Sequence, residues 1–350
     1  MILRAVSVIF LVYVGVCAAS AQEVERLVVL THDSFAMTEE VLAAFEEHTG
    51  ISVEILRSGD AGQMVNQAIL SKNNPLGDVL YGVDNTFLSR ALDAEIFAPY
   101  ESPALAYLGE SFIPDDTFRV TPVDFGDVCL NYDIAYFEER QLELPGSLSD
   151  LTKEAYRGLL VAENPATSSP GLAFLLATIA EFGDVGDYTY LDYWQDLERN
   201  DLLVVDGWTD AYYGEFKVTG RDSGSRPMVV SYASSPPAEV YFSGDPDTGA
   251  LTGAIVGDNM CFRQIEYVGI LAGAVNEEAA RQFVDFMLSP PFQEALPLNM
   301  FVFPVREDIT LPEVFAKYAS IPENPAIVEP ADIEAKREDW IQAWMEVMLR

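Results

Sequence analysis

The chain has 350 residues, and 20 Lys plus Arg against 56 Asp plus Glu leave a formal charge of −36. Phosphate binding needs clustered Lys and Arg, so this balance excludes nucleic acid as a partner. Hydrophobic residues make up 49% and aromatics 11%, far from the composition of a disordered acidic chain. One large or two medium domains with a sizeable core are therefore expected, with the acids on the surface.

The N-terminus reads as an export signal. Arg4 precedes an apolar run from Ala5 to Cys17, and Ala19, Ser20 and Ala21 place small side chains before Gln22, the pattern that a signal peptidase cuts. Residues 1–21 are expected to be removed, leaving a protein outside the cytoplasm. The run is shorter than the ~20 apolar residues of a membrane span. Lipoprotein anchoring through Cys17 is the alternative, weakened by Val16 where a small residue is usual. The mature chain keeps Cys129 and Cys261. In an oxidising compartment one bridge between them is the economical expectation, closing roughly 130 residues and contributing on the order of 4 kcal/mol; two separate buried thiols are the alternative.

Strands and helices then alternate. Leu27 to Thr31 is a continuous apolar run suited to a buried parallel strand, and Val41, Leu42 and Phe45 give Thr38 to His48 a helical face that Gly50 ends. Ile51, Val53 and Ile55 alternate as a strand, a loop S-G-D-A-G leads into a helix from Gln63 to Ser71, and a strand from Asp78 to Val83 precedes a helix from Asn85 to Ala94. Repeated units of this kind build a parallel sheet with ligands at the carboxyl ends of its strands.

Near Thr121 the pattern changes to a long extended stretch through Asp133. Helices follow at Leu172 to Phe182 and Leu191 to Asn200, with strands at Leu202 to Asp206 and Met228 to Tyr232. A second extended stretch, Cys261 to Leu271, precedes a helix from Glu277 to Leu288. Two long passages bracketing a second α/β region suggest a discontinuous first lobe. The division expected is 22–124 for its first part, 125–261 for the second lobe, and 262–350 for the return with C-terminal helices.

Two loops share a design. Asn164 to Gly171 puts Ser169 at a helix N-cap with Pro170 following, and Ser231 to Glu239 does the same with Ser235 and Pro236. Free backbone N–H groups at such a start can hold a hydroxyl or phosphate, although capping alone accounts for them. Between them, Asp206 to Phe216 gathers Trp208, Tyr212 and Tyr213 among carboxylates including Asp210. Aromatic faces beside acids suit a flat organic cation, at roughly 0.5–2 kcal/mol per cation–π contact.

These motifs resemble the thiamine-binding periplasmic proteins, the substrate-binding subunits of bacterial thiamine ABC transporters. The resemblance rests on T-H-D-S-F at 31–35, G-V-D-N at 82–85, N-P-A-T-S-S-P-G-L at 164–172, G-W-T-D-A-Y at 207–212, S-Y-A-S-S-P at 231–236 and F-V-F-P-V at 301–305. It covers nearly the whole mature chain. It implies an α/β, two-lobed type II periplasmic-binding-protein fold, each lobe a mostly parallel sheet flanked by helices, with the ligand cleft between lobes. It further implies thiamine or its phosphates as transported ligand, no cofactor, a membrane permease as partner, and a monomer. By position, Trp208 and Tyr232 match binding aromatics, Asp33 matches the acid of the first loop, and Ser169, beside Ser168, matches a serine of the phosphate-end loop. Gly59 and Asp60 occupy the second loop with a looser match. Asp84, Asp210, Tyr212 and Ser234 complete the expected ligand-facing set. Phe301 stands where relatives can have Trp, His32 where a Tyr is found, and Ala238 where another Tyr is found. For Asp33 the alternative is an N-cap of the helix after the first strand. Thiamine carries a permanent thiazolium charge, which Asp33, Asp84 and Asp210 are placed to neutralise. Trp208→Ala is expected to weaken binding at least about tenfold with little change in the melting temperature.

Enzyme readings find little support. His32 and His48 are the only histidines, and neither a G-x-S-x-G elbow nor an H-E-x-x-H motif occurs. A thiaminase-type enzyme of the same fold would need Cys129 as a thiolate. A ferric-iron-binding protein of the same fold would need clustered Tyr oxygens, and the S-Y-A-S-S-P loop lacks a tandem tyrosine. The expected mechanism is capture without chemistry, by lobes that rotate about the two crossover strands and then dock on a permease.

Overall fold

The computed structural model describes residues 26–109, 112, 117–221, 224–243 and 249–349. The expected export signal, with Cys17, lies outside the described residues. The strands are β1 (Arg26–Thr31), β2 (Ser52–Arg57), β3 (Val79–Asp84), β4 (Phe97–Ala98), β5 (Thr121–Asp133), β6 (Leu160–Glu163), β7 (Leu203–Val205), β8 (Met228–Tyr232), β9 (Thr252–Ile255), β10 (Phe262–Leu271) and β11 (Phe303–Pro304). The helices are α1 (Glu39–Thr49), α2 (Ala61–Leu70), α3 (Leu88–Asp93), α4 (Ile134–Arg140), α5 (Ser169–Phe182), α6 (Tyr190–Arg199), α7 (Pro236–Ser243), α8 (Glu277–Met287), α9 (Pro290–Asn299), α10 (Glu313–Tyr318) and α11 (Pro330–Met348).

The main path of the sheet runs β2-β1-β3-β10-β5-β8-β6-β7. At one end β1 is parallel to both β2 and β3; at the other β6 is parallel to both β7 and β8. β3 is buried along its whole length, as a parallel strand covered on both faces must be. The two long extended stretches form the middle. β5 and β10 pair antiparallel with each other, β10 then pairs antiparallel with β3, and the second half of β5 pairs antiparallel with β8. Each lobe thus has parallel outer strands, and the two sets are joined through antiparallel pairs at the crossover strands. Cys129 on β5 and Cys261, just before β10, are joined by a disulfide that closes 132 residues of chain. Both are fully buried.

Local chemistry sets the helix ends. α1 follows Thr38 and stops at Gly50, whose φ of 75° lets its N–H reach the Glu46 carbonyl, a conformation that glycine adopts without steric cost. α3 begins three residues later than Asn85, because Asp84 Oδ1 accepts the Thr86 N–H at 2.7 Å and holds an Asx turn ahead of the helix. α5 starts at Ser169, so Ser168 occupies the N-cap position expected for Ser169, and Pro170 lies in the first turn. It is buried from Ser169 through Ile179, which explains its lack of a polar face. α11 bridges the back of the molecule. Its Trp344 meets Trp194 of α6 edge-on at 5.4 Å, while Arg337 donates to Ser89 Oγ of α3 at 2.8 Å.

Candidate functional site

Loops after β1, β2, β6, β7 and β8 converge where the parallel strands end, and they enclose a cavity of about 400 Å³. Small-molecule sites lie in such crevices at carboxyl ends, with volumes of ~300–1,000 Å³. Of the residues expected to meet a ligand, His32, Asp33, Asp60, Ser169, Trp208, Tyr212, Tyr232 and Phe301 line this cavity. Ala238 also lines it.

The aromatic wall belongs mostly to the second lobe. Trp208 stacks on Tyr212 with ring centroids 5.0 Å apart and 20° between planes, and its Nε1–H donates to Ser231 Oγ at 2.9 Å. Tyr232 donates its hydroxyl to Gln264 Oε1 at 3.2 Å. Gly126 on β5 makes room for that ring, since a Cβ there would come within 2.7 Å of Tyr232 Cδ1. Across the mouth, Phe301 meets Phe242 of α7 with centroids 5.6 Å apart. Phe301 follows the C-cap of α9, and its φ of 54° is the left-handed conformation that ends a helix, with its N–H donating to the Leu296 carbonyl at 3.1 Å.

The acidic side belongs mostly to the first lobe. Asp33 is not a helix cap: its Oδ1 accepts the Gly59 N–H at 3.0 Å while its own N–H donates to the Gly59 carbonyl at 2.9 Å. This exchange fixes the first loop to the second and leaves the carboxylate exposed. Asp60 caps α2 and accepts from Ala61 N at 2.7 Å. It also accepts from Trp208 N at 2.9 Å and Ser168 Oγ at 3.1 Å, so one first-lobe carboxylate grips two loops of the second. Burial pushes the Asp60 carboxyl up despite these donors.

His32 is packed against β3 at Gly82, where a Cβ would approach within 2.2 Å of the ring. Its Nε2 lies 3.3 Å from Glu266 Oε1. Burial opposes charge on the imidazole, but the Glu266 carboxylate, with Asp60 and Asp33 beyond it, holds His32 above its ordinary range. Behind this pair, Tyr81 donates to Asp124 and, at 3.3 Å, to Glu266 Oε2. Burial and the Glu266 charge push Asp124 well up, whereas His32 outweighs burial and keeps Glu266 below the usual carboxylate range.

Five expected residues do not line the cavity. Gly59 sits behind Asp33 as its hydrogen-bond partner. Ser168 is buried and spends its hydroxyl on Asp60. Asp84 is fully buried and accepts the Ser169 hydroxyl, with burial raising its pKa to about 6 against the Ser169 and Thr86 bonds. Ser234 is buried away from the cavity, and Asp210 is exposed at the start of a π-helical segment, Asp210–Glu215. Tyr212 contributes its ring, but its hydroxyl is taken by Glu239 at 3.1 Å. Conversely, Gln264 and Glu266 line the cavity without having been singled out. Their signal is the i, i+2 spacing of Gln264 and Glu266, which puts both on one face of β10 with Arg263 on the other.

A two-lobed α/β protein whose aromatic and acidic cavity lies where the lobes meet is built to enclose a small solute. The type II periplasmic-binding-protein fold fits this arrangement throughout. The sequence matches the bacterial extracellular solute-binding protein family over residues 31–294, and the chain belongs to that family. Among relatives, the thiamine-binding periplasmic protein of Escherichia coli (strain K12) is 29% identical over 95% of this chain and 97% of its own. The thiamine-binding periplasmic protein of Brucella abortus is 27% identical over 95% of each. Among solved structures, a periplasmic thiamin binding protein superposes with a TM-score of 0.80 at 27% identity, covering 93% of this chain and 96% of that one. Iron-bound HitA from Pseudomonas aeruginosa shares the fold with a TM-score of 0.72 at 21% identity, covering 92% and 99%.

Proposed function

We propose that the protein captures thiamine in this cavity outside the cytoplasm and delivers it to the membrane permease of an ABC transporter. The observation that carries this reading is the pairing of flat aromatic faces, Trp208 and Tyr232, with the carboxylates of Asp33 and Asp60 in one cavity. That combination matches a ligand made of two aromatic rings with a permanent positive charge. Relatives named for thiamine binding, aligned over nearly the full chain, support the choice over other solutes.

The mechanism is closure of the lobes about β5 and β10. Asp60 donors from the second lobe and the hydroxyl contact between Ser34 and Thr209 at 3.4 Å belong to a closed form that opening would break. The lobes are assigned as 22–124 with 262–350, and 125–261. Residues 1–21 act as the cleavable export signal, and the mature protein works as a monomer. No bond of the ligand is broken: Cys129, the thiolate that a thiaminase-type reaction needs, is half of a disulfide. Mass spectrometry of the small molecule that copurifies with the protein tests the reading. Thiamine or a thiamine phosphate is the expected mass, and a different organic solute at stoichiometric amount would replace it.

A further inference from the structure

Two bases line the cavity, His32 and Arg57. His32 is committed to Glu266 at 3.3 Å. Arg57, the last residue of β2, forms no ion pair among the described residues. In a chain with 56 Asp plus Glu against 20 Lys plus Arg, carboxylates are plentiful, and an arginine that none of them neutralises stands apart. Arg263 on the neighbouring crossover strand shows the contrast, since it grips both oxygens of Asp127 at 3.0 and 2.9 Å. The Arg57 Nη2 donates instead to the Phe35 carbonyl at 2.9 Å, and Phe35 lines the cavity as well. That bond ties the guanidinium to the first-lobe wall, and no other hydrogen bond engages it among the described residues. Arg57 is exposed, so its remaining N–H groups meet solvent or a solute rather than protein.

The serine loops of the second lobe offer an anion far less. Ser169 gives its hydroxyl to Asp84 and Ser168 gives its own to Asp60 at 3.1 Å, while the Ser235 and Ser231 hydroxyls pair at 3.2 Å. An anion held there faces the carboxyls of Asp60 and Asp84, with Glu163 fully buried at the foot of the same loop. The positive charge of the lining that no carboxylate neutralises is at Arg57, while Asp33 and Asp60 supply the negative. Such a lining suits a ligand that carries both signs.

We propose that Arg57 is a specificity-determining residue for an anionic group on the ligand: it receives the phosphate of a phosphorylated thiamine while Asp33 and Asp60 face the cationic ring. A guanidinium presents a planar fork of N–H donors that matches two oxygens of a phosphate. One N–H is spent on Phe35, which orients the fork, and the others remain for the phosphate. Free thiamine brings no anion to Arg57 and meets its positive charge unshielded, so the residue tilts the cavity toward the phosphorylated form. The inference rests on the thiamine reading above.

The test compares thiamine with thiamine monophosphate by calorimetry on wild type, Arg57→Gln and Arg57→Lys, in a phosphate-free buffer. The readout is the ratio of the two affinities, monophosphate over thiamine. Arg57→Gln removes the charge and the fork, so this ratio is expected to fall at least about tenfold, as for the loss of a hydrogen bond to a charged group. Arg57→Lys keeps the charge without the fork, and a smaller fall is expected. A ratio unchanged in Arg57→Gln, whether both affinities hold or both drop together, would overturn the proposal. Should Arg57→Gln not fold, Arg57→Lys decides alone, and a wild-type ratio in that variant removes the role. Repeating the thiamine titration with inorganic phosphate present separates the two sources of the anion: a rise in thiamine affinity that Arg57→Gln abolishes would give the position to free phosphate and overturn the assignment to the ligand's own. A wild type that binds neither thiamine compound fails the thiamine reading instead.

Discussion

Trp208→Ala separates binding from packing at one residue. One face of the indole is covered by Tyr212, 5.0 Å away, and its N–H is held by Ser231 at 2.9 Å. The variant therefore removes a hydrogen bond of about 1 kcal/mol and an aromatic pair of about 0.5–1.5 kcal/mol, roughly 2 kcal/mol together. The melting temperature should fall by several degrees, at roughly 2–4 °C per kcal/mol for a protein of this class. This corrects the expectation from sequence that the apo protein would hardly notice the change, which treated the ring as a free platform. The other loss is on the ligand, where a cation–π contact of about 0.5–2 kcal/mol corresponds to roughly two- to thirtyfold in affinity. Calorimetric titration with thiamine reads the second effect and differential scanning calorimetry the first. A destabilised variant with wild-type affinity would show that Trp208 is a packing residue and that the cation is held elsewhere.

Three further predictions test other parts of the account. Asp60→Asn weakens two bonds that cross the cleft, each involving an ionisable acceptor and worth roughly 1.5–3 kcal/mol, so ligand affinity should fall at least about tenfold and small-angle scattering of the saturated protein should show a larger radius; an unchanged radius would detach Asp60 from closure. Replacing Cys129 and Cys261 together with Ser should cost about 2–5 kcal/mol of stability, read as a lower denaturant midpoint, while thiamine affinity stays near wild type; a large affinity loss would give the disulfide a part in the site. Asp84 has its pKa raised from 3.8 to about 6, so the folded state holds this proton more tightly than the unfolded one. Its contribution to stability is therefore greatest at acid pH and declines as pH rises from about 4 through about 6, by roughly 3 kcal/mol if the shift is fully expressed. Asp84→Asn should flatten the stability profile in that window, and an identical profile would assign the pH dependence to other groups.

The fold was legible where one local rule acted alone. The apolar run L-V-V-L-T, the Gly50 stop and the two extended stretches around Cys129 and Cys261 each announced their element, and the spacing of those stretches implied a chain that leaves a lobe and returns. The site was legible as loops but not as orientations. Both Ser168 and Ser169 fit a ligand-facing pattern, yet one reaches Asp60 and the other Asp84, because the N-cap of α2 and the end of β3 bring a carboxylate to each. Asp210 looked equivalent to Asp33 as an acid near an aromatic, but the π-helical turn directs it to solvent. Gln264 and Glu266 were hidden for the opposite reason: they sit on a strand read for its role as a crossover, and only the pairing of β10 between β3 and β5 turns that face toward the cleft. The buried acids Asp124 and Glu163 carried no local signature at all, since burial is a property of the assembled lobes. The net charge of −36 meanwhile lies largely outside the cavity, where a handful of carboxyls suffice.

The central claim is that this cavity encloses thiamine when the lobes close, and one titration addresses it directly. Purified protein, unfolded and refolded to remove any resident ligand, is titrated with thiamine while tryptophan fluorescence is followed, with Trp208→Ala measured alongside. The account predicts a saturable signal with one ligand per chain, weakened in the variant. No saturable change, in a protein whose refolded melting profile matches the original, would contradict it.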